Sequence, residues 1–110
     1  MMAYDQHLAE RVRQCLARRK GITEKKMFGG LAFILRGKMC CGVLNDNLVV
    51  RVGPERYERD LSRPHVRPMD FTGRPMKGYV FVAPGGLKTD KRLGKWIDEG
   101  GEFVSALTRK

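Results

Sequence analysis

Leu31-Ala32-Phe33-Ile34-Leu35 leads through Arg36-Gly37-Lys38 into Met39-Cys40-Cys41-Gly42-Val43-Leu44, and Asn45-Asp46-Asn47 then leads into Leu48-Val49-Val50-Arg51-Val52. Short apolar runs, rich in β-branched residues and separated by polar turns, read as a three-strand meander. Arg36-Gly37-Lys38 is a tight-turn signal, and Asn and Asp tolerate left-handed backbone in the second turn. Turns this short force antiparallel neighbours.

Upstream of the meander the period changes. Leu8, Val12, Cys15 and Leu16 fall on one stripe of a helix, with Arg11, Arg13, Arg18 and Lys20 mostly off it. Asp5 suits an N-cap and Gly21 a C-cap, so a helix is expected from about Asp5 to Arg19. Downstream, Gly53-Pro54 ends the sheet and starts a short helix over Pro54 to Leu61. Ser62 to Pro68 reads as a loop, because Pro64 and Pro68 exclude a central strand between them. Met69-Asp70-Phe71 reads as a short strand before the turn Thr72-Gly73-Arg74-Pro75. Gly78 to Ala83 forms a further strand. A last helix starts near Thr89, with Leu93, Trp96, Ile97, Val104 and Leu107 on its apolar face and Gly100-Gly101 as a point of break or kink. The expected fold is α+β, in the order α-β-β-β-α-β-β-α, with a largely antiparallel sheet flanked by helices.

A chain of 110 residues, 42% hydrophobic, suits one domain spanning residues 1–110. With 22 Lys+Arg against 12 Asp+Glu the formal charge is +10, which favours anionic partners without specifying them. The N-terminus lacks an export signal, and no apolar stretch approaches the ~20 residues that span a bilayer. Cys15, Cys40 and Cys41 are an odd number of thiols, best explained by a reducing cytoplasm.

Lys26-Met27-Phe28-Gly29-Gly30-Leu31-Ala32-Phe33 resembles the Met-Phe-Gly-Gly lead-in to the first strand of the TfoX/Sxy competence-regulator family. The following hairpin with its Leu48-Val49-Val50-Arg51 return, and Gly78-Tyr79-Val80-Phe81-Val82 before a Trp-bearing terminal helix, resemble the rest of that family's N-terminal domain. The resemblance covers nearly the whole chain. It implies a compact domain with a helix-flanked antiparallel sheet, no enzymatic activity and no catalytic residues. In longer members this domain precedes a helical one, and the whole protein coactivates competence genes. The helical domain is expected to be absent from a chain that stops at Lys110.

The signature itself reads as structural: Met27 and Phe28 are apolar anchors into the sheet, and Gly29-Gly30 permit a bulge or a backbone shape closed to other residues. A phosphate-cradling glycine turn would need a helix after it, and none follows. No catalytic constellation emerges. Cys15 lies on an apolar stripe, and neither His7 nor His65 is tied to a cysteine by spacing. Adjacent Cys40 and Cys41 are expected to face opposite sides of a strand, which keeps them from sharing a metal. Neither cofactor nor metal is expected.

Two basic clusters are the candidate partner-binding residues. Lys88, Lys91, Arg92 and Lys95 share a side at the start of the last helix, after Gly85-Gly86. Arg56, Arg59, Arg63 and Arg67 follow the short helix into its loop, and guanidinium suits phosphate and carboxylate. The bland alternative for the last-helix cluster is a solvated polar face, with Asp90, Asp98 and Glu99 nearby offsetting its charge. The expected function is a non-catalytic module acting through contacts with a protein partner, a homodimer among the forms this can take, with no membrane involved. The alternative is direct binding of nucleic acid or a phosphorylated ligand, non-specific and salt-sensitive.

Overall fold

The computed structural model describes residues 4–17, 19–27, 29–69 and 76–108. Its elements are α1 (Gln6–Leu16), β1 (Ile22–Met27), β2 (Gly30–Leu35), β3 (Lys38–Leu44), β4 (Asn47–Arg51), α2 (Pro54–Leu61), β5 (Val66–Pro68), β6 (Tyr79–Val82), a 3-10 turn at Pro84–Gly86, and α3 (Asp90–Thr108). The strands form one antiparallel sheet in the order β1-β2-β3-β4-β6-β5. The expected α+β class holds, with one strand more than the sequence suggested.

That extra strand is β1. Only Ile22 is even half-buried; Thr23 to Met27 are exposed, so no apolar alternation marks the segment. Backbone pairing with β2 and one ion pair hold it instead. Arg13 of α1 grips Glu24 through two bonds, Nε to Oε2 at 2.7 Å and Nη2 to Oε1 at 2.9 Å, and this draws the Glu24 carboxyl below its usual range. Lys25 and Lys26 stand on this outer strand, the usual protection of an unpaired edge.

Asp5 caps α1 as expected, its Oδ1 accepting from the amides of His7 and Leu8 at 2.8 and 3.1 Å. The helix ends at Leu16, three residues earlier than read from the sequence, and Gly21 turns the chain into β1 instead of capping it. Met27 closes β1 at 37% exposure, so it is no buried anchor. Gly29 takes a φ of +77 in the turn between β1 and β2, a backbone shape that explains a glycine there. Phe28 lies outside the described residues, as do Arg18 and the turn at 72–75.

The strand expected at Met69-Asp70-Phe71 begins earlier, at Val66–Pro68; Met69 follows it, and residues 70 and 71 lie outside the described set. β5 is the far edge of the sheet, where a proline removes no bond the sheet needs.

Helices α1, α2 and α3 lie on one face. Leu8, Val12 and Leu16 of α1, Tyr57 of α2, and Leu93, Trp96, Ile97 and Val104 of α3 join Phe33, Val43, Leu48, Val50, Val80 and Val82 in one core. Leu107, read as part of that face, is 37% exposed near the helix end. Cys15 is half-buried at the margin. The opposite face carries a smaller cluster of Val49, Met69 and Phe81.

Two further expectations change with the structure. Cys40 and Cys41 do not face opposite sides: both are fully buried in the helix-side core, with their sulfurs 3.9 Å apart. The cause is a register shift in which Phe33 pairs with Cys41 and Ile34 with Met39, leaving Cys40 as the extra residue of a bulge. Gly100-Gly101 does not interrupt α3, which runs unbroken. Gly100 instead lets the helix lie against the Cys40 carbonyl, where a Cβ would collide with that oxygen.

Candidate anion-binding cleft

α2 ends in a run of hydrogen bonds that sets the course of the α2–β5 loop. Ser62 Oγ donates to the Arg59 carbonyl at 2.7 Å, and the Arg63 amide donates to the Asp60 carbonyl at 3.1 Å. His65 then adopts a φ of +67, and its carbonyl accepts from the Ala83 amide at 2.8 Å. This ties the loop to the end of β6. The imidazole lies against the 3-10 turn: a Cβ on Gly85 would come within 2.5 Å of His65 Cε1. On the other side Thr89 caps α3, its Oγ1 accepting from the Arg92 amide at 3.1 Å.

Between loop, turn and helix opens a cleft of about 470 Å³, lined by Arg63, Pro64, His65, Gly86, Arg92, Lys95 and Trp96. Among the described residues, no carboxylate lines it. Arg92 and Lys95 are exposed neighbours on α3 and form no ion pair among the described residues. Arg63 is held in place: its guanidinium carbon sits 4.1 Å from the centroid of the Trp96 ring, and Nη1 reaches Asp60 Oδ1 at 3.4 Å.

Behind the cleft lies a charged seam between α2 and α3. Asp60 is fully buried and also receives Arg59 at 3.1 Å; Glu99 receives Arg59 at 3.3 Å and Arg63 at 3.9 Å. Asp60 Oδ2 and Glu99 Oε2 are buried without a donor. Burial, with the Asp60 carboxyl beside it, pushes Glu99 up to about 7 against the pull of Arg59 and Arg56.

The two basic clusters of the sequence are thus redistributed. Arg63 from one and Arg92 and Lys95 from the other meet in the cleft. Lys88 lines a separate small pocket beside Asp5 and Arg11, and Lys91 is exposed on α3. Arg56 pairs with Glu102 at 3.6 Å and Arg59 with the buried acids, so the arginine face of α2 turns toward α3. Arg67 stands on the opposite face of the sheet, 5.0 Å from the Phe81 ring centroid. Sequence reading missed His65 and Trp96 as lining residues. Trp96 carries the spacing of a core residue, and it is one, 5% exposed; only the packing of Arg63 on it reveals the second role.

Among the described residues, no three His, Cys, Asp or Glu side chains are grouped to hold a metal ion, and no helix is long and apolar enough to cross a membrane. No curated protein matches the chain. The model of one family does match, over residues 14–104, which spans every strand and all but the first helix's opening turns and the last helix's end. The chain belongs to the TfoX N-terminal domain family.

Proposed function

We infer that the protein is a non-catalytic regulatory module that works by contact, receiving an anionic segment of a partner protein in the cleft between the α2–β5 loop and α3. The convergence of Arg63, Arg92 and Lys95 from two elements, with no acid on the cleft wall among the described residues, carries this reading. Such a cleft holds a short side-chain cluster of a partner and orients it by charge. The regulation of competence genes that the family resemblance implies is compatible with coactivation through protein contact, and the three free thiols suit a cytoplasmic setting.

Direct nucleic-acid binding draws less support. A backbone-tracking surface needs a continuous run of unpaired cations. Here Arg56 and Arg59 are engaged by acids and Arg67 is on the other sheet face. A homodimer formed by joining sheet edges is disfavoured as well, because β1 presents Lys25 and Lys26 and β5 ends in Pro68.

Affinity capture from lysate, with and without nuclease, tests the reading. Partners should survive nuclease, persist with Lys25→Glu/Lys26→Glu, and disappear with Arg92→Glu/Lys95→Glu. Partners lost to nuclease alone would favour a nucleic-acid bridge, and binding of DNA or RNA at ~50 mM salt would establish the alternative.

A further inference from the structure

We propose that the group seated in this cleft is a phosphate monoester carried on a serine or threonine of the partner protein, with Arg63, Arg92 and Lys95 supplying the opposing charge. This rests on the reading of the cleft as the docking site and goes further, naming the chemistry recognised there.

Charge and donor geometry come first. Among the described residues, two cations without an ion pair and a third shared with Asp60 and Glu99 exceed what one carboxylate, with a single charge and two oxygens, can match. A phosphate monoester brings close to two charges at neutral pH and three terminal oxygens. Arg63 and Arg92 offer planar forks of N–H donors, and Lys95 a point charge one helical turn from Arg92. Arg63 is also positioned before any ligand arrives, because Trp96 holds one face of its guanidinium and Asp60 one edge. Pre-positioned donors lose little freedom on binding.

The walls fit the same ligand. His65 keeps a left-handed backbone unusual outside glycine, anchored by its bond from Ala83, and packs its ring on Gly85. Strained residues of this kind gather where a ligand is clamped. The volume suits a phosphorylated side chain with its flanking backbone. The Trp96 indole, by contrast, offers a nucleotide base little platform, because the residue is 5% exposed and Arg63 packs over its ring.

Trp96 is the only tryptophan, so its emission reports on the cleft directly. The probes are short peptides with randomised flanks around a central phosphoserine, serine or glutamate, together with AMP and inorganic phosphate. The phosphoserine set should bind at least about tenfold tighter than the glutamate set, a difference of about 1.4 kcal/mol. Arg92→Gln/Lys95→Gln should abolish that response while leaving the thermal melt in place. Glutamate peptides that bind as tightly as phosphoserine peptides would overturn the phosphate assignment and leave the docking reading standing. AMP or inorganic phosphate binding more tightly than the peptides would overturn the partner-protein source. No response to any probe, joined to unchanged partner capture by Arg92→Glu/Lys95→Glu, would overturn both.

Discussion

Arg63 packs over the indole of Trp96 at 4.1 Å from the ring centroid while its other edge faces the buried carboxylate of Asp60. One side chain thereby covers an aromatic face, shields a buried acid and lines the cleft. Replacing it by lysine keeps the charge and removes the plane. Arg63→Lys should cost about 1 kcal/mol in chemical denaturation and shift Trp96 emission to the red. Unchanged emission would mean that the stacking does not persist in solution.

Glu99 makes stability depend on pH in a predictable direction. Its folded value of about 7 lies above the ordinary 4.5, so between these limits the native state holds a proton that the unfolded chain releases. Stability therefore falls as pH rises through that window and stays lower above it. Glu99→Gln removes the titration, and its amide can donate to the orphaned Asp60 Oδ2. Urea denaturation should show the variant gaining about 1–2 kcal/mol on wild type at pH 8 relative to pH 5. An equal difference at both pH values would rule out this assignment.

Two glycines of α3 should respond oppositely to the same change. A methyl at Gly100 runs into the Cys40 carbonyl, whereas nothing lies within 4 Å of the position it would take at Gly94. Gly100→Ala should destabilise by about 1–3 kcal/mol, and Gly94→Ala should stabilise by up to about 1 kcal/mol, both read from denaturant midpoints. A stable Gly100→Ala protein would show that α3 can move off the sheet.

The thiols should divide by depth. Burial pushes the half-exposed Cys15 up from its ordinary range, and the neighbouring Cys40 thiol, together with full burial, raises Cys41 well above it. A thiol-reactive dye should label Cys15 slowly in the native protein and Cys40 and Cys41 only on unfolding. Fast native labelling of either β3 cysteine, located by peptide mapping, would contradict their burial.

How far the sequence could be read depended on what each segment buries. β2, β3 and β4, the N-cap at Asp5 and the Pro54 start of α2 are legible because apolar periodicity and turn chemistry act locally. β1 is not: its side chains face water, and it is fixed by the backbone of β2 and an arginine eleven positions before Glu24, Arg13. The bulge at Cys40 is invisible for a related reason, since it exists only in the offset between two strands. The cleft was half legible. The cations were apparent from their spacing, but which of them meet, and which are consumed by Glu99 and Glu102, is decided by how α2 lies beside α3.

The bulge on β3 also sets a constraint on how this domain can vary. The surplus residue sets its carbonyl just where α3 carries no side chain, so strand length and helix composition are matched at one point. A version shortened by one residue at Cys40 would regain a regular ladder and free position 100 to bear a larger residue. Relatives should therefore alter both together or neither, and an alanine tolerated at 100 would mark a straight third strand.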